Sequence, residues 1–510
     1  MNRREFVGML GGMAALNAAP LSAFAGAPPS VRPNFLFIIA DDFALHALND
    51  PAVRKPNIDR LSKSGCTFSH CFHQGGWAPA VCVPSRTMLN SGLTSFKAEH
   101  GIETVPTWGQ TMGLGGYDTF ITGKWHLSMP ALHRSFKEIG VIAPGMLPST
   151  PEGGAAYDRP SPGNTWEPWD TSLKGQWLHT ADWADAPGGK EKKKAKGEWP
   201  WPHGPADTSH GPDTIVHSSV AYANSAIAHL EKAAKRDTPF FMYVGFNAPH
   251  DPRQAPKEFV DQYPEDKIEV PPNFLPEHPF NEGMHHLRDE LLAPFPRTKE
   301  AVQLHRREYY ALITHMDEQI GRILDALEAS GKAANTYVIF TADHGLCVGE
   351  HGLMGKQNMY EASMRIPLMI SGPGIQAGST VDEAVYQHST YATACELAGI
   401  PVPGTVEFPS LVPMLHGDTK PLHDATFCWY MGFQRAVRTK THKLIFYPQL
   451  QRTQVFDLVN DPWEMHDLVD DPATQPVKAE LWARLLQFQK ELNDPLDLLH
   501  PAVIPATKDT

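Results

Sequence analysis

Phe35-Leu36-Phe37-Ile38-Ile39-Ala40 is an unbroken apolar run of strand length, and it stops at two carboxylates, Asp41-Asp42. A strand that is apolar at every position belongs inside a parallel sheet covered on both faces. Two adjacent acids at its end need a cation. The pattern returns along the chain: Tyr117 to Thr122 runs into Gly123-Lys124-Trp125-His126, Pro239 to Phe246 into Asn247-Ala248-Pro249-His250, and Thr336 to Thr341 into Ala342-Asp343-His344-Gly345. In an open α/β sheet ligands bind at the carboxyl ends of the strands, so these stretches converge on one site. The expected fold is α/β, with a large mixed, mostly parallel sheet sandwiched by helices.

The intervening segments supply the helices. Asn57 to Ser64 reads as a short helix closed by Gly65, and Cys66 to Phe72 as a strand. Asp213 is placed to cap a helix reaching Arg236. From Lys299 to Ser330 the residues Leu312, Ile313, Met316, Ile320, Ile323, Leu324 and Leu327 recur at helical spacing, which makes them core. Pro367 to Ile370 adds a strand, and Thr390 to Ala398 a helix ended by Gly399. After residue 420 the runs shorten and alternate (Ala425 to Tyr430, Arg435 to Tyr447, Gln454 to Leu458), then Pro476 to Leu492 is helical. We therefore expect a catalytic domain over 30–420, with irregular insertions near 145–212 and 252–297, and a smaller subdomain over 421–510, an antiparallel sheet with a terminal helix.

The 510 residues carry 44 Lys and Arg against 57 Asp and Glu, a net charge of −13. Bulk charge offers nothing to nucleic acid or to an anionic membrane, and an anionic substrate must find a local cationic pocket. Asn2-Arg3-Arg4-Glu5-Phe6-Val7 looks like a twin-arginine export motif, with an apolar stretch to Leu16 and small residues around Ala23-Phe24-Ala25. Residues 1–25 are thus expected to be a signal peptide that sends the chain to the periplasm or outside the cell, and no later run has the length of a membrane span. The lysine tract Lys190 to Lys196 reads as a solvated loop, with polyanion binding as the competing use. The six cysteines, Cys66, Cys71, Cys82, Cys347, Cys395 and Cys428, are too few for a dense disulfide framework.

Cys82 has the most unusual surroundings: Ala78-Pro79-Ala80-Val81-Cys82-Val83-Pro84-Ser85-Arg86-Thr87. Pro84 suits the first turn of a helix, which Gly92 would stop, and Cys82 then sits at a helix N-terminus, where anions are stabilised. Chemistry alone leaves a low-pKa thiolate beside Arg86 or a buried structural cysteine. Asp41, Asp42 and Asp343 each have a competing reading as a cap or turn residue; gathered at equivalent strand ends, their hard oxygens suit Ca²⁺ or Mg²⁺.

Cys82-Val83-Pro84-Ser85-Arg86 resembles the Cys-x-Pro-Ser-Arg pentapeptide of the type I sulfatases, members of the alkaline-phosphatase-like superfamily. The resemblance extends from Pro33 to Asp471, through Pro33-Asn34-Phe35-Leu36-Phe37-Ile38-Ile39-Ala40-Asp41-Asp42, Gly123-Lys124-Trp125-His126, Ala248-Pro249-His250, Thr341-Ala342-Asp343-His344-Gly345, Gly349-Glu350-His351-Gly352, Gly355-Lys356, Tyr360-Glu361-Ala362-Ser363 and Val455-Phe456-Asp457-Leu458. It implies that a formylglycine-generating maturation enzyme converts Cys82 to formylglycine before folding. Asp41, Asp42, Asp343, His344 and the modified Cys82 would then hold a calcium ion. Arg86 would steady the aldehyde hydrate, and Lys124 and Lys356 would bind sulfate oxygens. One hydroxyl of the hydrate would attack sulfur in line while His250 and Lys356 assist departure of the alcohol, and His126 would take the proton of the other hydroxyl so that sulfate is expelled.

Two positions depart from the family pattern. His344 stands where many relatives carry Asn, and Tyr386-Gln387-His388-Ser389-Thr390 resembles a family segment that usually has an Asp near His388. The activity implied is hydrolysis of a sulfated small molecule or glycan, a sulfated sugar above all, since Trp166, Trp169, Trp177, Trp183, Trp199 and Trp201 offer faces for sugar rings. Phosphonate monoester or phosphodiester hydrolysis by the same nucleophile is the enzymatic alternative. A sulfated-glycan-binding protein without turnover is the other, though binding alone does not require an oxidisable cysteine.

Overall fold

The computed structural model describes residues 32–500 apart from 144, 148–155, 180–213, 284 and 286. The twin-arginine stretch, the lysine tract, Asp213 and the tryptophans Trp183, Trp199 and Trp201 lie outside the described residues.

The main sheet has eight strands: β1 (Asn34–Ala40), β2 (Cys66–Phe68), β3 (Asp118–Lys124), β4 (Glu138–Ala143), β5 (Phe240–Gly245), β6 (Thr336–Ala342), β7 (Leu368–Ser371) and β8 (Ser379–Val381). Their order is β8-β2-β7-β6-β1-β5-β3-β4. Only β7 runs antiparallel to its neighbours β6 and β2; the other pairings are parallel. The strands expected to carry polar ends, β6, β1, β5 and β3, are consecutive neighbours in the middle of the sheet. Every residue of β1, β5 and β6 is buried, as a sheet covered on both faces requires.

Helices α1 (Pro56–Ser64), α2 (Cys82–Ser91), α3 (Ser218–Ala233), α4 (Lys299–Ala329), α5 (Ser389–Leu397) and α6 (Gln475–Leu492) account for the longer connections. In α4 Thr298 caps the first turn through Ala301 N, and Leu312, Ile313, Met316, Ile320, Ile323 and Leu324 join the apolar core with β1, β5 and β6. Helix α3 begins at Ser218 instead of near Asp213, because Ile215–His217 pairs antiparallel with Trp177–His179 and the His217 side chain caps the helix through Ser219 N.

The expected strand Cys66 to Phe72 is two strands in different sheets. Cys66–Phe68 joins the main sheet, while Cys71–Phe72 pairs with Arg365–Ile366 and Val385–Tyr386. The run Arg435 to Tyr447 is likewise a hairpin. It supplies β10 (Gln434–Arg438) and β11 (His442–Tyr447) of an antiparallel sheet completed by β9 (Thr426–Tyr430) and β12 (Arg452–Asp457). Helix α6 lays Leu481, Leu485 and Phe488 against Phe427, Val437, Leu444 and Val455 of that sheet. One contact was invisible in the sequence: Gly75–Gly76 pairs in parallel with Trp429–Tyr430 of β9, tying the segment before Cys82 to the C-terminal sheet. All six cysteines are free and buried.

Candidate active site

Strands β6, β1, β5 and β3 end at one level, and each delivers its polar residues at or beyond its last residue. Asp41 and Asp42 follow β1, Asp343 and His344 follow β6, His250 lies in the turn after β5, and Lys124 closes β3 just before His126. The ends of β3 and β5 approach closely. Gly123 has φ +91°, and a Cβ there would lie 1.8 Å from the carbonyl oxygen of Gly245, so only glycine lets Lys124 reach the centre from this strand. His126 adopts a left-handed φ of 59°, which turns its ring back towards α2.

Cys82 is the first residue of α2 and is buried. Its Sγ atom lies 3.1 Å from Nδ1 of His126. Burial would raise the thiol pKa, but the Lys124 ammonium and His126 outweigh it and hold the thiol well below its ordinary value. The position therefore favours an anion, whichever chemical group occupies it. One turn along the helix, Arg86 donates from Nε to Oδ2 of Asp343 at 2.9 Å and from Nη1 to the Lys124 carbonyl at 2.9 Å. Ser85 donates to the carbonyl of Asp343 at 2.7 Å, and Gln387 Nε2 donates to Ser85 Oγ at 2.6 Å and to the same carbonyl at 3.0 Å. That bridge from Gln387 fixes the start of α2 to the end of β6.

The two lysines are paired with different acids. Lys124 Nζ donates to Oδ2 of Asp41, and Lys356 Nζ sits 2.9 and 3.1 Å from the two oxygens of Asp42. Burial works against the Lys356 ammonium, yet Asp42 and Asp289 hold its pKa well above the ordinary lysine value. His250 is pushed the other way, by burial first and then by Lys356, Lys124 and Arg288, so its imidazole is neutral. Burial also lowers the pKa of His126.

The residues fit a bound cation. Ligand atoms of Asp41, Cys82, Asp343 and His344 all lie within 4.8 Å of one another, and Asp41, Asp42 and His250 form an overlapping group. Asp41 Oδ1 and His344 Nε2 are buried without a hydrogen-bond partner. His344 Nε2 faces oxygens of Asp42, Asp343 and Asp41 at 3.1, 3.7 and 3.9 Å. Burial and then the charge of Asp343 push the Asp41 carboxyl well above its usual range. A cation relieves both costs, and a donor set dominated by carboxylate oxygens suits a hard one.

Every sequence-predicted residue therefore meets the others: Cys82, Arg86, Lys124, His126, His250 and Lys356 surround Asp41, Asp42, Asp343 and His344. Arg288, Asp289, Asp251 and Gln357 were not anticipated. Asp289 accepts from Gln357 Nε2 at 2.8 Å and lies 4.0 Å from Lys356, and Arg288 Nη2 lies 3.5 Å from Nε2 of His250. Arg288 and Asp289 come from the irregular stretch 252–297, Asp251 directly follows His250 and Gln357 directly follows Lys356, and no periodicity marks them as functional. His351 stacks on Tyr360 at 3.7 Å and bonds Asn273, a loop-shaping role, and His73 is held between Gly75 N and the Ser363 carbonyl.

The chain matches the sulfatase family over residues 33–400 and the C-terminal region of N-sulphoglucosamine sulphohydrolase over residues 349–491. It is 28% identical to a choline-sulfatase from Rhizobium meliloti, over 89% of this chain and 85% of the relative. It is 29% identical to an iduronate 2-sulfatase from Mus musculus, over 74% of this chain and 70% of the relative. Its fold is similar to that of a phosphonate monoester hydrolase from Silicibacter pomeroyi, with a TM-score of 0.69 at 20% identity, covering 90% of this chain and 96% of that one. The family match spans well over half of the chain and includes every strand end of the site, so the protein belongs to the sulfatase family of the alkaline-phosphatase-like superfamily and is a sulfuric ester hydrolase.

Proposed function

We propose that the protein is exported by a twin-arginine signal in residues 1–25 and removes sulfate from a sulfated sugar, using a formylglycine made from Cys82 and a calcium ion. The observation that carries this reading is the placement of the Cys82 side chain: it stands 3.1 Å from Nδ1 of His126 and belongs to the same donor group as Asp41, Asp343 and His344. Asp41, Asp42, Asp343, His344 and the modified Cys82 would hold the calcium ion, which supplies divalent charge against the sulfate. Formylglycine supplies a hydrated aldehyde with one hydroxyl to attack sulfur and a second through which sulfate can leave.

The chain's own residues divide the remaining work. Arg86, fixed by Asp343 and the Lys124 carbonyl, orients the group at position 82. Lys124 and Lys356 are buried ammonium groups aimed into the site, and they neutralise charge on the sulfate oxygens where low dielectric makes each contact strong. His126 Nδ1 takes a proton from the substituent at position 82. His250 Nε2 lies 3.9 Å from Asp42 Oδ2, and His250 and Lys356 would together assist departure of the alcohol, with the Lys356 ammonium as the proton donor. The similarity to an iduronate 2-sulfatase supports a sugar substrate. Residues 30–420 would form the catalytic domain, and 421–510 the subdomain that braces it through Gly75–Gly76.

The fold likeness to a phosphonate monoester hydrolase favours one other reading, hydrolysis of a phosphonate monoester or phosphodiester by the same side chains. Mass spectrometry of the peptide spanning Cys82, together with rates on aryl sulfate and aryl phosphate esters, tests the proposal. A formylglycine mass and faster sulfate release are expected. Unmodified cysteine throughout an active preparation, or a clear preference for the phosphate ester, overturns it.

A further inference from the structure

Arg288 differs from every other cation around the site. Arg86, Lys124 and Lys356 are fully enclosed, whereas the Arg288 side chain is 39% exposed while its guanidinium still reaches within 3.5 Å of His250 Nε2. It stands where the alcohol fragment must lie, because His250 is the residue assigned to the leaving oxygen. Its orientation is fixed from behind. Asp289 accepts from both Nε and Nη2, and Asp251 from Nη2 at 3.2 Å; Asp251 also accepts from the Tyr157 hydroxyl at 2.8 Å. Two carboxylates thus use one edge of the fork. Among the described residues, the remaining nitrogen, Nη1, meets only the thioether sulfur of Met146, a weak acceptor on a side chain that is itself 38% exposed. An oxygen of the substrate can displace that sulfur at little cost.

We propose that Arg288 is a specificity-determining residue that binds an acidic group, a carboxylate or a second sulfate, on the alcohol fragment next to the scissile ester. The inference rests on the sulfatase reading and narrows its substrate class to an acidic sugar. A charged acceptor gives a guanidinium roughly twice the bond that a neutral hydroxyl gives. The same cation repels an alcohol with a fixed positive charge, so choline sulfate is rejected by Arg288 itself.

The test compares kcat/KM of the matured enzyme on a uronic acid 2-sulfate, its carboxyl methyl ester and choline sulfate. Wild type should prefer the free acid over the methyl ester by roughly tenfold or more, about 1.4 kcal/mol. In Arg288→Ala that ratio should fall towards one through loss on the free acid, and choline sulfate should gain relative to the methyl ester; Arg288→Lys should keep part of the acid preference. Because the ratio is taken within one enzyme, damage to His250 or to folding cancels. A wild-type ratio near one, or an equal ratio in Arg288→Ala, overturns the inference while leaving the sulfatase reading intact. Absence of sulfate release from all these esters and from an aryl sulfate counts against the sulfatase reading instead.

Discussion

Cys82 Sγ and His126 Nδ1 are 3.1 Å apart although one begins a helix and the other follows a strand. The contact exists because α2 is pinned to the end of β6 through Ser85, Arg86 and Gln387, while Gly123 lets β3 close against β5. Two independently anchored elements therefore hold Cys82 and His126, the proposed nucleophile position and base, in register, and that pairing is the first thing to test. Replacing Cys82 by Ala removes the residue proposed to become formylglycine. Turnover on an aryl sulfate should drop by at least about four orders of magnitude, as losses of a covalent nucleophile do, with the melting temperature little changed. Residual sulfate release at more than a hundredth of the wild-type rate, about two orders above that expectation, is the outcome that sinks the mechanism.

His126→Ala should separate the two halves of the reaction. General acid–base groups contribute about 10²- to 10⁴-fold, and the loss should fall on release of sulfate. Stopped-flow detection of the aryl alcohol should show a burst of one equivalent per site followed by slow turnover. If slow, linear release from the first seconds is seen instead, His126 acts earlier than proposed.

Calcium should stabilise the folded chain. Free calcium at about 100 times its dissociation constant adds about 2.7 kcal/mol, read as a rise in melting temperature that a chelator reverses. Asp343→Asn should lose most of that response. Equal melting temperatures for wild type with and without calcium would show that Asp41, Asp42, Asp343 and His344 hold no such ion.

Asp317, on α4, caps a different helix. Its Oδ1 accepts from Ile58 N at 2.7 Å and its Oδ2 from Asn57 N at 3.1 Å, at the start of α1. Burial nevertheless pushes its carboxyl up from 3.8 to about 6. The folded state thus binds this proton more tightly than the unfolded chain, so the associated stability is complete below about pH 4 and is lost as pH rises through about 6. Asp317→Asn does not titrate; measured by urea unfolding, its stability relative to wild type should improve by up to roughly 3 kcal/mol across that window and stay level above it. A difference independent of pH would mean that the carboxyl is not raised.

Gly123→Ala tests the close approach of β3 and β5. With φ at +91° and the Gly245 oxygen in the way, the added methyl cannot be accommodated without moving Lys124. Stability should fall by more than about 2 kcal/mol and activity should fall with it. Wild-type values for both would show that the strand ends are further apart.

What could be read from the sequence follows from chemistry that repeats. Four apolar runs each ending in acid, lysine or histidine announced a parallel sheet and its site, because β1, β3, β5 and β6 carry their function at the strand ends. Cys66 to Phe72 misled, since a short apolar run does not say which partner it will find, and here its two ends join different sheets. Gly75–Gly76 has no side chains to form a pattern, and Arg288, Asp289 and Gln387 meet the site through contacts with residues distant in sequence. Asp213 and the tryptophans Trp183, Trp199 and Trp201 fall outside the described residues.

The pairing of Gly75–Gly76 with Trp429–Tyr430 also sets a clock. Gly76 lies against Pro84 in the first turn of α2, so the Cys82 segment cannot settle until β9 has been made. At about 5–20 residues per second, the stretch between Cys82 and Tyr430 takes roughly 17 to 70 seconds to synthesise. On the proposed reading, that interval is when a formylglycine-generating enzyme would reach Cys82 on the nascent chain, before the C-terminal sheet closes over it.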